Sequence, residues 1–258
     1  DMTAASGLLR PLVTASEPAA LHLLVCPFAG ASSSAFRDWR RLDDLGLDIT
    51  LVTYPGRDHR MGEPCAEQIA PLADLLVDAI RVLPHSQPLL LAGHSMGAQV
   101  AFETCARLER DGTPPAGLVL SGCHAPHLES RRRLSHLDDQ AFIEQLVEIG
   151  GGGPELLAIP ALRTLFLPLL RADFRATEGY RHAQAPSSPA VNTPSLLLYG
   201  SHDGEARRDE VQAWQAWLRH AGPPVAVAGD HFYITRRPRA FLGQIMHHFE
   251  SLPFSADR

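Results

Sequence analysis

The sequence predicts an α/β protein: a doubly wound, mostly parallel sheet with helices on both faces and a helical cap inserted late in the chain. Three observations predict it. Short apolar runs alternate with stretches of helical periodicity. Those runs are apolar almost throughout, as strands buried on both faces should be. The alternation lapses once, over roughly seventy residues that carry helical patterns and no convincing strand.

Taken in order, residues 1–20 read as an extended, partly loose lead-in. LHLLV (21–25) is the first strand, and CPFAGASSS leads from it into a helix over about 33–45. ITLVTY (49–54) is the second strand, followed by the turn YPGRDHRMGEP (54–64). A helix over about 66–82 places Ile69, Leu72, Leu75, Leu76, Ala79 and Ile80 on one face. PLLLA (88–92) then runs into GHSMG and a helix over 96–111 that Gly112 closes. GLVLS (117–121), SLLLYG (195–200) and VAVA (225–228) are the remaining strands, with helices expected at 209–220 and 238–250.

The whole chain, 1–258, reads as one domain, long enough for a real core, with the insertion at about 126–190. Within the insertion, LSHLDDQAFIEQLVEIGGGG has helical spacing and stops at four glycines, Gly150–Gly153, which would permit hinge motion. PELLAIPALRTLFLPLLRADFRATEGY resumes in helix, punctuated by Pro160 and Pro168. A helical excursion after the fourth candidate strand is expected to cap the site.

Composition removes several function classes. A net charge of −6 argues against a nucleic-acid partner. All 23 basic residues are arginine. Without lysine there can be no Schiff base and no phosphate loop that depends on its lysine. Cys26, Cys65, Cys105 and Cys123 form no C-x-x-C pair, so zinc and dithiol chemistry are not expected; free thiols suit a reducing cytosol. No secretory leader or membrane span is expected, because no apolar stretch is long enough.

The chemistry gathers around Ser95. G-x-S-x-G is a short pattern that chance supplies in roughly one chain in ten, so its context decides. Here it joins an apolar strand to a helix. On such a turn the residues two positions either side of the serine come close together, and Gly93 and Gly97 remove the clashing Cβ atoms. Ser95 then stands at a helix N-terminus, where backbone amides favour developing negative charge. A nucleophile on this turn takes its partners in the order Ser, acid, His, from loops after later strands. LLLYGSHDG supplies Asp203 and VAVAGDHFY supplies His231, both at carboxyl ends of strands. SGCHAP, after the fourth strand, holds no carboxylate to compete. An oxyanion hole needs two amides: Met96, the residue after the nucleophile, and Ala29 from CPFAGASSS, with Phe28 the alternative. Ser32–Ser34 could also cap the following helix. Arg57 is expected to bridge Asp58 or Glu63 within its own turn.

From about Leu21 to Phe249 the sequence resembles the type II thioesterases of the α/β-hydrolase superfamily, stand-alone enzymes that accompany nonribosomal peptide and polyketide synthases. The resemblance rests jointly on CPFAGAS, YPGRDHRMGEP, GHSMGAQVAFE, SGCHAP, LPLLRADFRATEGY, GSHDG and GDHFYI. It implies hydrolysis of acyl or aminoacyl thioesters from the phosphopantetheine arms of acyl- or peptidyl-carrier protein domains. By motif the nucleophile, acid and base fall on Ser95, Asp203 and His231, and the oxyanion amides on Met96 and Ala29. No metal or organic cofactor is implied, since the phosphopantetheine belongs to the carrier. Two positions depart from the family pattern, which commonly has glycine at both: Ala31, and Asp230 beside the base. A cytoplasmic monomer is expected. Arg131–Arg133 with Arg236, Arg237 and Arg239 are candidates to meet an acidic carrier. The competing readings are a general serine esterase or lipase, or a fatty-acyl thioesterase, with the same triad. A hydrolase fold used only for binding fits less well because every triad position is filled, and self-contained ends weigh against a synthase-terminal cyclising enzyme.

Overall fold

The computed structural model describes residues 7–151 and 154–250. Gly152 and Gly153 of the glycine run lie outside the described residues, as do the first six residues of the lead-in. The described strands form one seven-stranded sheet in the order β1-β3-β2-β4-β5-β6-β7. They are β1 (Leu9–Val13), β2 (Leu21–Cys26), β3 (Leu47–Val52), β4 (Leu89–His94), β5 (Gly117–Ser121), β6 (Ser195–Gly200) and β7 (Val225–Val227). Every pairing from β3 to β7 is parallel, and β1 alone runs antiparallel, against β3. This is the doubly wound, mostly parallel sheet that the sequence predicts.

Alternate residues of the central strands feed two cores, which is why the strands are apolar throughout. Leu24, Cys26, Leu91 and Leu118 face α1 (Ile69–Arg81), α2 (Met96–Arg110) and Trp214. Leu23, Val25, Leu90 and Val119 face Phe36, Trp39 and the buried side of α8 (Pro238–Phe249). α2 ends where expected: Gly112 takes φ +74°, and the Thr113 amide donates to the Leu108 carbonyl at 2.9 Å.

Three expectations change. Part of the lead-in is the edge strand β1, whose Pro11 lacks an N–H and is tolerated because an edge strand pairs on one side only. The helix expected over 33–45 is a 3-10 helix, Ser33–Arg41. Its residues bury Phe36 and Trp39, with a tighter hydrogen-bond pattern than an α-helix has. The helix expected over 209–220 is a five-residue α6 (Arg208–Gln212) running into a 3-10 turn, Ala213–Ala216.

Between β5 and β6 stand α3 (Asp139–Ile149), α4 (Pro154–Ala158) and α5 (Pro160–Gly179). Asp138 caps α3 by accepting the Ala141 amide at 2.9 Å, and Gly150 ends it at φ +97°. Pro168 does not stop α5, which runs through it. These helices share a small apolar core of Leu134, Phe142, Ile143, Leu156 and Leu167. α7 (Tyr233–Arg236) follows β7 and leads into α8. Among the described residues no helix is long and apolar enough to cross a membrane.

Candidate active site

The chain leaves β2 toward β3 on one side and enters β4 on the other, so the strand order reverses between β2 and β4. Loops leaving the carboxyl ends of two such strands border a crevice. Here they are the loop after Cys26 and the turn at Ser95, brought together because Cys26 pairs with Gly93. The loops after β6 and β7, which carry Asp203 and His231, open on the same edge.

The turn at Ser95 is strained. Ser95 has φ +56° and ψ −122°, a conformation that side-chain-bearing residues rarely adopt. It is held because a Cβ on Gly93 would lie 1.9 Å from the Gly97 carbonyl oxygen, and one on Gly97 would lie 1.9 Å from that of Cys26. Only glycine fits at either position.

The three predicted side chains meet. His231 Nδ1 lies 2.7 Å from Asp203 Oδ2, and its Nε2 lies 3.2 Å from Ser95 Oγ. The carboxylate accepts a hydrogen bond from Nδ1–H, which leaves the Nε2 lone pair facing the hydroxyl. Asp203 also accepts the amides of Glu205 at 2.8 Å and Ala206 at 3.1 Å. Burial works to raise its pKa, but the His231 hydrogen bond and charge and those two amides outweigh burial and hold it below the ordinary carboxylate range. Its charge is therefore retained at neutral pH, and the stability it adds is lost only as pH falls through that depressed value.

Met96 opens α2 directly after Ser95, and Ala29 borders the same cavity as Ser95 and His231. Among the described residues neither amide donates to another group of the protein. The cavity encloses about 100 Å³, and Phe174, Thr177 and Glu178 of α5 wall it on the insertion side. Cys123 also borders it, but burial above all, with Asp203 and Glu210 nearby, pushes its thiol well up and makes it a poor nucleophile.

Two features lay beyond the sequence reading. Arg57 bridges neither Asp58 nor Glu63. It is buried and makes a two-pronged ion pair with Asp173 of α5, at 2.5 and 2.8 Å. Asp173 Oδ2 also accepts the Gly30 amide at 2.7 Å, next to Ala29. Leu170 presses on the same glycine, since a Cβ on Gly30 would lie 2.2 Å from Leu170 Cδ2. The insertion thus holds the loop that carries Ala29. Asp58 accepts from Ser33 N and Oγ, and Glu63 pairs with Arg60. Ser32 makes no capping bond, its hydroxyl bonding Ser34 at 2.8 Å. The available signal for Asp173 was a carboxylate on the buried side of α5, among Leu169, Ala172 and Ala176. The second feature is Asp230, which binds the Phe232 amide at 2.9 Å and pairs with Arg236. Its charge is engaged by Arg236 at the end of α7.

Residues 21–250 match the model of the thioesterase domain family. The chain is 41% identical over 239 residues to the probable anguibactin biosynthesis thioesterase AngT of Vibrio anguillarum, covering 92% of this chain and 95% of that one. Among solved structures it is similar to YbtT, a type II thioesterase from the yersiniabactin NRPS/PKS biosynthetic pathway. That likeness has a TM-score of 0.90 and 51% identity, over 94% of this chain and 98% of the other. It is also similar to BorB, the type II thioesterase from the borrelidin biosynthetic cluster, at TM-score 0.79 and 30% identity over 93% and 97% of the two chains. The fold is that of these α/β-hydrolase-type enzymes.

Proposed function

The chain belongs to the thioesterase domain family and acts as a hydrolase on thioesters, and from that premise we propose that it is a stand-alone editing enzyme of nonribosomal peptide or polyketide assembly. Its substrates in this reading are acyl or aminoacyl groups on the phosphopantetheine arms of carrier proteins. The observation that carries the chemistry is the hydrogen-bonded line Asp203–His231–Ser95 opening on a small cavity.

In the proposed reaction His231 Nε2 takes the Ser95 proton as Oγ attacks the thioester carbonyl. The amides of Met96 and Ala29 receive the oxyanion. The C–S bond breaks, the pantetheine sulfur leaves with the proton from His231, and the acyl group stays on Ser95. Water then gives a proton to His231 and attacks the acyl-serine, releasing the acid and restoring the Ser95 hydroxyl. Side chains, amides and water supply every step written here. The helices α3–α5 act in this reading as a cap that walls the acyl end and steadies the Ala29 loop.

Carrier docking through the arginine clusters needs revision. Arg131 pairs with Glu210, Arg132 with Glu205, Arg236 with Asp230 and Arg239 with Asp44. Most of that positive charge is neutralised within the chain, so an acidic carrier gains less from it than the sequence implies.

Matched acyl substrates test the reaction class. A thioester and an oxygen ester of the same short acyl group should differ in kcat/KM by at least roughly tenfold in favour of the thioester, whose thiolate leaves more readily. Equal or reversed preference would turn the reading toward a general serine esterase.

A further inference from the structure

We propose that His94 is a positioning residue that holds the backbone of His231 in place for proton transfer. The inference rests on the reading of Ser95, Asp203 and His231 as the reacting groups. His94 ends β4, is fully buried, and directly precedes Ser95. Its Nε2 lies 2.6 Å from the His231 carbonyl oxygen, and its Nδ1 lies 2.8 Å from Ser121 Oγ. Ser121 Oγ in turn bonds the Tyr233 hydroxyl.

The direction of every hydrogen bond in this chain follows from one end. A carbonyl can only accept, so His94 Nε2 carries the proton. Burial first, and then the nearby His231 charge, pull its pKa down to about 3, so the ring is neutral and Nδ1 is an acceptor. Ser121 must donate to it, and Tyr233 must donate to Ser121. A neutral, fully oriented imidazole therefore points its one N–H at the backbone of the candidate base.

The consequence is mechanical. Ser95 meets the His231 ring while the residue before it grips the His231 backbone, so two consecutive residues hold the base at both ends. The Ser95–His231 separation is 3.2 Å, already long for a hydroxyl and an imidazole. A small drift of the loop after β7 would open it further, and displacements near 1 Å cost about a hundredfold in rate. His94 also packs edge-on against Tyr233 and Phe28, so filling space is the rival explanation.

The test separates donation from packing. An asparagine amide reaches only as far as the imidazole Nδ1, whereas a glutamine amide reaches about as far as Nε2. His94→Asn should lower kcat roughly 10- to 100-fold with KM changed less than about twofold. His94→Gln should recover at least about tenfold of that loss, with melting temperatures recorded for both. Wild-type kcat in the Asn variant, or equal losses in two well-folded variants, would overturn the proposal. Nitrogen NMR of the wild type keeps the idea testable if the Asn variant does not fold. A protonated Nε2 coupled across the hydrogen bond to the His231 carbonyl carbon supports it, and a protonated Nδ1 overturns it. Ser95→Ala and His231→Ala controls distinguish the two levels. Turnover retained by either control brings down the base reading together with this one. Turnover lost in both, beside a fully active His94→Asn, brings down only the role of His94.

Discussion

Replacing Ser95 with alanine is expected to leave a folded protein whose kcat has fallen by roughly 10⁴- to 10⁶-fold. The backbone at Ser95 is held by Gly93 and Gly97 rather than by the hydroxyl, so the strained turn survives the substitution. What disappears is the hydroxyl that carries the acyl group in the proposed reaction. His231→Ala should cost about as much, and the double variant little more, because the two groups act as a unit. Asp203→Asn should cost about 10⁴-fold with the fold intact, since an amide can offer its N–H to Nδ1 and favour the tautomer that faces Ser95 with a proton. Steady-state kinetics with one short-chain thioester reads all four. Losses that simply add would contradict a concerted Asp203–His231–Ser95 unit.

The second large effect falls on stability. Asp173→Asn leaves the Arg57 guanidinium buried without a counter-charge. Burial works against that charge, yet the Asp173 carboxylate more than offsets it and holds the Arg57 pKa above its ordinary value. Breaking such a pair costs about 3–5 kcal/mol, or roughly 10 °C in melting temperature for a chain of this size. The double variant Arg57→Met with Asp173→Leu should recover most of that loss, because apolar replacements of a buried pair are often neutral. It should not recover turnover. Gly30 would still lack the acceptor that it has in Asp173, and the loop carrying Ala29 would be looser. Calorimetry and kcat on the same samples separate the two effects. A double variant with full kcat would show that the insertion does not steady that loop.

The strands and the site were legible for the same physical reason. A strand buried on both faces writes itself as a nearly unbroken apolar run, as in PLLLA and SLLLYG, and the residues just past its end are the ones that reach the carboxyl edge. Ser95, Asp203 and His231 each stand in that position, so a one-dimensional rule nominates the three side chains that the structure brings together. β1 escaped because LRPLV is only partly buried, with Leu9 and Arg10 half-buried and Pro11 exposed, and Pro11 weakens the strand pattern. The 3-10 geometry of Ser33–Arg41 escaped because apolar spacing reports which side is buried, not which carbonyl each amide chooses. The sequence offers Arg57 only its neighbours Asp58 and Glu63, whereas its partner lies 116 residues away. Pairing at that distance depends on how α5 packs, and the local pattern of YPGRDHRMGEP contains no trace of it. His94 shows the same limit: its partners come from β5, from α7 and from the loop after β7.

The central claim is that Ser95 removes acyl groups from carrier-bound phosphopantetheine. The most direct measurement is intact mass of an acetyl-loaded carrier protein during incubation with the enzyme, beside Ser95→Ala and a matched p-nitrophenyl ester. The account predicts rapid loss of the acetyl mass from the carrier, abolished in Ser95→Ala, with slow turnover of the ester. A carrier that stays loaded while the ester is cleaved quickly would contradict it.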